Sequence, residues 1–329
     1  MIRFQEIIGQ QQIKDHLQSA LEQNNISHAY LFCGDAGSGR HTMAMAFARA
    51  LLCENPTEHH DACGNCKSCK QAASANHPDI HIITHEKFNI RVDEIREQLN
   101  NDIQIKPYSS PYKVYIIPDA HRMNEQAQNA LLKTLEEPPA YAVIILLADN
   151  ESSLLPTINS RCVKLQMNPV SKEEISAYLV NKLQMEKDVA DIAAGFCQGN
   201  IGQALRFAQS EDFQAMKDQV LGLLKQIDDM PLYSIMDVIR SFAKDKGNFY
   251  DYLDLMLLWY RDILMYKATK DTNLLLYRDE YTAITKQASK RGYEDLERII
   301  EAINKVKIRL DANVNFELAI ELMLLVIKD

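Results

Sequence analysis

Four cysteines are crowded into one short segment, at a spacing that suits a metal ion. Cys53, Cys63, Cys66 and Cys69 are separated by nine, two and two residues. Four thiolates can surround one zinc ion, and four protein ligands leave no open position for a water molecule. In a reducing compartment, such clustering indicates metal binding rather than disulfides. The sequence therefore predicts a structural zinc site.

Other histidines and cysteines offer alternatives to this set. Three nearby histidines could each replace the first cysteine as a ligand: His59, His60 and His77. Three further cysteines stand in apolar surroundings, where the default role is that of a small buried hydrophobic residue: Cys33, Cys162 and Cys197. We expect the four clustered cysteines to be the ligands.

A glycine-rich loop follows an apolar run and precedes a helical stretch. Its glycines are Gly34, Gly37 and Gly39, and backbone amides in such a loop cradle phosphates at a helix N-terminus. Active loops continue with lysine for the phosphates and serine or threonine for magnesium, whereas this sequence has Arg40 and His41. Arginine keeps the charge without the compact ammonium, and imidazole cannot replace a hydroxyl on magnesium.

A second part of the same catalytic site is also changed. In ATPases with this loop, the following strand ends in an aspartate that holds magnesium. Here that position is Pro118, and Asp119 comes one residue later. The two changes together predict a nucleotide fold without ATPase activity of its own. Binding of ATP through the glycines alone stays open.

Alternating strand and helix signals must position these residues, and they indicate an α/β domain with a mainly parallel sheet. Strands are predicted over residues 28–33, 80–84, 113–117 and 141–148. The last run is apolar throughout, as a central strand buried on both faces would be. Helices are predicted over residues 42–52, 92–99 and 124–137, with Asn124 as the N-cap of the third. From Ser171, which forms a capping box with Glu174, only helices are predicted.

The composition is that of a globular protein with two or three domains. The chain has 329 residues, of which 47% are hydrophobic and 25% charged. A net charge of −9 argues against a surface that neutralises nucleic-acid phosphates, so any DNA contact must be local or shared with a partner. Without an apolar run of ~20 residues or a secretory signal, we expect a cytoplasmic protein with no membrane partner.

Several motifs together resemble the bacterial clamp-loader subunits of DNA polymerase III. They are the glycine loop, the cysteine insert, residues 129–139 (Asn-Ala-Leu-Leu-Lys-Thr-Leu-Glu-Glu-Pro-Pro) and residues 158–162 (Ile-Asn-Ser-Arg-Cys). The resemblance covers residues 1–210 well, and the rest agrees in length and class. The missing lysine and magnesium aspartate make the chain similar to the delta-prime type rather than to the ATP-hydrolysing gamma/tau type.

The resemblance implies three domains and a set of partners. These are an AAA+ P-loop α/β domain over residues 1–167 with a zinc module at 53–69, a small helical lid domain over 168–210 and an all-α collar for oligomerisation over 211–329. Five subunits would form an open ring with gamma/tau-like ATPase subunits and a delta subunit, acting on a sliding clamp and primed DNA. The chain would thus be a component of the DNA polymerase III holoenzyme.

Within this resemblance, Ser160, Arg161 and Cys162 match a family motif whose arginine reaches into the neighbouring subunit's ATP site. A guanidinium supplied in trans stabilises charge on the transferring phosphoryl group. Active members also sense nucleotide with an arginine where this sequence has Gly202. Both features favour a subunit that assists hydrolysis elsewhere.

Two glutamates that close the 124–137 helix are less easily assigned. Glu136 and Glu137 are adjacent, and adjacent residues on a helix do not face one another, which disfavours a catalytic acid/base pair. A solvated face, or a lining near DNA or a neighbouring subunit, is the expected role.

Two other functions remain as alternatives. One is a catalytically active AAA+ ATPase of gamma/tau type with unusual ligands, which ATP hydrolysis by the purified chain would reveal. The other is a zinc-dependent DNA-binding regulator, which the net charge of −9 and the lack of a basic recognition helix disfavour.

Overall fold

Five short runs of the sequence form one parallel sheet in the computed structural model. The strands are β1 (Ala29–Cys33), β2 (Ile80–Ile82), β3 (Lys113–Ile117), β4 (Ala142–Ala148) and β5 (Val163–Gln166). Their order across the sheet is β2-β3-β4-β1-β5, and every neighbouring pair is parallel. All seven residues of β4 are buried, which confirms the central strand that its apolar run predicts.

The structure describes residues 3–85, 89–209, 211–243, 246, 249–312 and 314–328. These fall into two compact units, which are Met1–Tyr178 with Gln198–Gln203 and Leu179–Cys197 with Ala204–Asp329. The three-domain division at residues 167 and 210 stays a prediction, and residue 210 itself lies outside the described residues. No helix among the described residues is long and apolar enough to cross a membrane.

Among the described residues, seven α-helices begin before Tyr178, and the last of them ends in the second unit. They are α1 (Gln11–Glu22), α2 (Arg40–Leu51), α3 (Lys67–Ala73), α4 (Val92–Ile95), α5 (Glu125–Glu136), α6 (Pro156–Asn159) and α7 (Lys172–Leu183). The predicted helix over 92–99 ends its α-helical part at Ile95 and continues as one wide turn, Arg96–Asn100. Asn124 caps α5 as predicted, because its side chain accepts a hydrogen bond from the Ala127 amide at 2.8 Å.

The alternation of side chains along the strands builds two separate cores. Ile144 and Leu146 of β4 pack in the core that contains α4, α5 and α6. Val143 and Ile145 of the same strand pack in the core that contains α1 and α2. Because neighbouring residues of a strand face opposite sides, one apolar run serves both layers. The predicted α/β domain with a parallel sheet is confirmed.

In the part of the second unit that the structure describes, all regular secondary structure is helical. Beyond α7 the chain forms α8 (Lys187–Phe196), α9 (Ile201–Gln209), α10 (Glu211–Gln226), α11 (Leu232–Ala243), α12 (Phe249–Thr269), α13 (Tyr281–Lys290), α14 (Tyr293–Asp311) and α15 (Phe316–Lys328). Helix α12 packs against α10, α13 and α14. Its Trp259 is fully buried and donates its indole N–H to Gln287 Oε1 at 3.0 Å. The helical second half predicted from the sequence is confirmed.

Candidate functional site

The four clustered cysteines converge on one point next to the end of α2. Cys53 follows α2, Cys66 caps α3 and Cys69 lies inside α3. The sulfur atoms of all four, Cys63 included, lie within 4.8 Å of one another. The four cysteines singled out by the sequence therefore do meet in the fold, because two helix ends and a short connecting turn bring them together.

The distances between sulfur atoms fit a metal site. A tetrahedral zinc site with Zn–S bonds of about 2.3 Å separates its sulfurs by roughly 3.8 Å. The Sγ atom of Cys53 lies 3.6 Å from that of Cys69 and 3.9 Å from that of Cys66. The backbone N–H groups of Asn65 and Cys66 donate to Cys63 and lower the pKa of its thiol to about 6, which favours the thiolate that binds metal. Burial raises the pKa of the Cys53 and Cys69 thiols, so it is the spacing of the four sulfurs that suits this donor set to a metal ion.

Among the described residues, the ligand atoms that lie together are those of the four cysteines, and none of the alternative histidines belongs to that group. His77 is buried, its Nε2 lies 3.0 Å from Ser68 Oγ, and its Nδ1 accepts a hydrogen bond from the Asp79 amide. His59 and His60 line a groove beside α1, where the His59 carbonyl accepts a hydrogen bond from Gln18. The group of potential ligands is therefore formed by cysteines. Of the other cysteines, Cys33 and Cys197 are buried, whereas Cys162 is half-buried.

The glycine loop connects β1 to α2 and requires its glycines. The φ angles of Gly34, Gly37 and Gly39 are 153°, 87° and 96°, a region that side chains strongly disfavour. A Cβ atom on Gly37 would also lie 2.5 Å from Asn200 Oδ1. The loop thus ends at the N-terminus of α2 in a conformation that requires its glycines.

The arginine at the lysine position of this loop is paired within the chain. Arg40 Nη2 lies 2.8 Å from Asp149 Oδ1, and nine-tenths of the Arg40 side chain is buried. His121 Nε2 lies 3.3 Å from Asp149 Oδ2. Arg40 Nη1 and Ser38 Oγ are buried with no hydrogen-bond partner among the described residues. The charge of Arg40 is thus compensated by Asp149, while two donors of the loop remain available to an anion.

Residues from the start of α9 cover the other side of the loop. Asn200 Nδ2 donates to the Ala36 carbonyl at 2.7 Å, and the Gly202 amide donates to the Gly37 carbonyl at 2.9 Å. A Cβ atom on Gly202 would lie 2.7 Å from Gly37 Cα, so only glycine fits there without a backbone shift. The position where the resemblance expects an arginine is therefore used for close backbone packing.

The aspartate that follows β3 pairs with an arginine three residues later. Asp119 has a φ of 48° and its carboxylate lies 3.7 Å from Arg122 Nη1. Pro118 precedes it directly after the strand. The carboxylate that does reach Arg40 is that of Asp149, which follows the neighbouring strand β4.

The motif arginine lies on the surface of the first unit, just after α6. Arg161 Nη2 lies 2.8 Å from Glu136 Oε1, and Nη1 donates to the Thr157 carbonyl at 2.9 Å. About a third of the Arg161 side chain is exposed, at 34%. Burial raises the pKa of the neighbouring Cys162 thiol to about 12, so that this cysteine is neutral. The Arg161 guanidinium is therefore partly exposed to solvent while contacts within the chain hold it in place.

Comparison with known proteins assigns the chain to a family. A family model described as DNA polymerase III, delta subunit, matches residues 9–171, and one described as DNA polymerase III, delta subunit, C terminal, matches residues 204–329. The chain is 30% identical over 317 residues to DNA polymerase III subunit delta′ of Bacillus subtilis (strain 168), covering 95% of this chain and 94% of that relative. The chain belongs to the DNA polymerase III delta-prime family.

Further relatives include both types of subunit. DNA polymerase III subunit delta′ of Pseudomonas aeruginosa is 41% identical over 140 residues, which are 42% of each chain. DNA polymerase III subunit tau of Bacillus subtilis (strain 168) is 28% identical over 326 residues, covering 92% of this chain and 57% of that relative. The family recognised from the sequence motifs is confirmed, and with it the role of a clamp-loader subunit.

Three ionisable partners in this delta-prime family member were not identified from the sequence. They are Asp149, which pairs with Arg40, His121, which lies beside Asp149, and Glu136 as the partner of Arg161. A signal for Asp149 was available, because it directly follows the predicted central strand and polar residues at the carboxyl ends of neighbouring parallel strands converge. The pairing of Glu136 with Arg161 joins residues 25 positions apart and has no such signal.

Proposed function

We propose that this delta-prime family member is the non-hydrolysing subunit of its clamp loader. In this role it supplies Arg161 in trans to the ATP site of a neighbouring gamma/tau-like subunit and supports loading of the sliding clamp onto primed DNA. The ion pair between Arg40 and Asp149 carries the first half of this proposal. A charge that is neutralised within the chain stabilises a transferring phosphoryl group less than a free lysine does.

The residues at the two usual magnesium positions support the same conclusion. Magnesium prefers oxygen ligands in octahedral geometry, and His41 offers a nitrogen at the position of the usual hydroxyl. Asp119, one residue after the usual position, forms its ion pair with Arg122. The buried donors on Arg40 and Ser38 are compatible with weak binding of an anion. We therefore propose a degenerate nucleotide loop in which Gly34, Gly37, Gly39 and Arg40 keep the shape without the reaction.

The exposed arginine supports the second half of the proposal. An arginine finger must reach a phosphate of another subunit, so it has to lie on the surface with its guanidinium free to exchange partners. Arg161 is a third exposed and is held by weak surface contacts only.

The acidic charge of the chain fits a shared interface with DNA. A net charge of −9 disfavours independent DNA binding, because affinity for DNA depends on neutralising phosphates. In a ring, more basic neighbours can provide those contacts. We propose the gamma/tau-like ATPase subunits and the delta subunit as the direct partners, with residues 211–329 as the collar through which they assemble.

We further propose that the four cysteines hold one structural zinc ion. Cys53, Cys63, Cys66 and Cys69 would be its ligands, and the ion would fix the connection between α2 and α3. A zinc ion with four thiolate ligands has no position for substrate, so it stabilises the fold and takes no part in a reaction.

Assays of ATP turnover test the proposal as a whole. The purified chain is expected to release no phosphate above background at saturating Mg-ATP, while adding it to its gamma/tau-like partner raises the partner's turnover. Magnesium-dependent turnover by the chain alone, abolished by Gly39→Trp, would assign it to the active ATPase type instead.

A further inference from the structure

We infer that Glu136 is a positioning residue for Arg161, which holds the guanidinium in place until a phosphoryl group of the neighbouring subunit replaces it. This inference rests on the proposed role of Arg161 as the arginine supplied in trans. Glu136 itself would touch neither nucleotide nor reacting atoms.

The geometry fixes the guanidinium from two sides. Glu136 Oε1 lies 2.8 Å from Nη2, while Nη1 donates to the Thr157 carbonyl at 2.9 Å and lies 3.3 Å from Ser160 Oγ. Contacts on both terminal nitrogens fix the plane of the guanidinium as well as its position. Without Glu136, only the contacts on Nη1 would remain, and the group could rotate about them.

The two elements that carry this pair are tied to each other. Glu136 is the last residue of α5, and Arg161 follows α6 by two residues. Gln128 of α5, which is buried, accepts a hydrogen bond from the Leu155 amide at the start of α6, at 2.8 Å. The distance between Glu136 and Arg161 is therefore set by the packing of α5 on α6 rather than by two mobile loops.

Helix energetics alone do not explain a glutamate at this position. The C-terminal end of a helix carries a partial negative charge, which disfavours carboxylates there and favours cations. Glu136 closes α5, and Glu137 follows it immediately. The guanidinium of Arg161 compensates the repulsion between the helix end and the Glu136 carboxylate. Glu137 has no such compensating partner among the described residues.

The ion pair between Glu136 and Arg161 is weak enough for a phosphoryl group to replace Glu136. Both partners are partly exposed, at 34% for Arg161 and 51% for Glu136. An ion pair of this kind changes an equilibrium by only about two- to fivefold. A phosphoryl oxygen with more negative charge can therefore displace Glu136 without a large barrier, whereas a buried pair would keep the arginine away from its target.

The neighbouring glutamate provides a matched control. Glu137 has the same side chain, is also exposed and lies at the same helix end. No ion pair to Glu137 is found among the described residues. The variants Glu136→Ala, Glu136→Gln, Glu137→Ala and Arg161→Ala would each be assembled into the complete complex with its gamma/tau-like and delta partners. Thermal melting and gel filtration first establish that each variant folds and assembles.

The kinetic readout is the Arg161-dependent ATP turnover, defined as the turnover lost in Arg161→Ala. Glu136→Ala is expected to lower the kcat of this component about two- to fivefold with KM for ATP unchanged, and Glu136→Gln to lose less, because its amide oxygen can still accept a hydrogen bond. Glu137→Ala should retain full turnover. The effect of Glu136→Ala should shrink at high salt, because salt screens the exposed pair.

A second measurement tests positioning without activity. In the chain labelled with ¹⁵N-arginine, the order parameter of the Arg161 Nε–Hε group should fall in Glu136→Ala and stay unchanged in Glu137→Ala. Equal turnover and equal order in these two variants would overturn the inference while leaving the role of Arg161 intact. A complex that hydrolyses normally with Arg161→Ala would instead overturn the proposed function on which the inference rests.

Discussion

Replacing Gly202 by alanine tests directly whether the start of α9 closes the glycine loop. Alanine is the smallest change that adds a side chain, and in a helix it is normally favourable by up to about 1 kcal/mol relative to glycine. At this position the added Cβ atom would lie 2.7 Å from Gly37 Cα and 2.9 Å from the Gly37 carbonyl oxygen. Two backbones therefore have to separate.

The cost follows from that distance. Carbon atoms pack at about 3.5–4.0 Å, so the two segments must move apart by roughly 1 Å. That shift stretches the 2.9 Å hydrogen bond from the Gly202 amide to the Gly37 carbonyl beyond its useful length. Overpacking of about 1–3 kcal/mol and loss of a hydrogen bond of about 1 kcal/mol outweigh the gain in helix propensity, leaving a net loss of about 1–3 kcal/mol.

Hydrogen exchange with mass spectrometry measures this loss locally. Peptides covering residues 34–43 and 198–203 should exchange about 5- to 150-fold faster in Gly202→Ala than in the unchanged chain. The control is Gly222→Ala in α10, where a Cβ atom meets nothing within 4 Å and alanine should slow exchange of its own helix. If Gly202→Ala slows exchange as Gly222→Ala does, the close contact between Gly202 and Gly37 does not exist.

Three further predictions concern the metal site and the polar interior. The purified chain should contain one zinc ion per molecule, and the Cys66→Ser variant should contain none and melt at a lower temperature. Full zinc content in that variant would exclude Cys66 as a ligand. Burial opposes the charge of Asp79, but the amides of Tyr108 and Ser109 outweigh it and hold its pKa below the ordinary value. Ionised Asp79 thus stabilises the fold fully above that ordinary value of about 3.9, and its contribution is lost as the pH falls through the lower pKa of the folded state. Asp79→Asn should therefore lower the free energy of unfolding by about 1–3 kcal/mol, by a constant amount from pH 5 to 8 and by less below about pH 4. A loss of stability that disappears between pH 6 and 5 would contradict a lowered pKa. Gln287→Leu should cost the helical unit about 1–3 kcal/mol in urea unfolding followed by the fluorescence of Trp259, the single tryptophan, because the indole N–H loses its acceptor; an unchanged midpoint would refute the importance of that bond.

The strands of the sheet could be predicted where their burial is complete. The run that became β4 is apolar at every position because it is buried on both faces, so its composition identifies it. Strand β5 was missed because it lies at the sheet edge and is only four residues long, with one of those residues buried. A short, half-exposed edge strand has no continuous apolar pattern to detect.

Contacts within the candidate site could be predicted where the residues are close in the sequence, and not where they are far apart. The four cysteines lie within 17 residues, so their spacing alone predicts that they meet. Asp149 reaches Arg40 only because β4 lies beside β1 in the sheet, an order that the sequence does not specify. The contact of Gly202 with Gly37 has no signal in the sequence, since it requires the chain to return to its first loop after 165 residues.

The central claim is that Arg161 acts on a neighbouring subunit, and the most direct test is the ATP turnover of the assembled complex containing Arg161→Ala. We predict that the complex assembles normally and loses the turnover of the ATP site that this chain faces, by about 10³-fold at that site. Arg161→Lys should restore little, because an ammonium lacks the planar fork of the guanidinium. Normal hydrolysis and clamp loading by the Arg161→Ala complex would contradict the account.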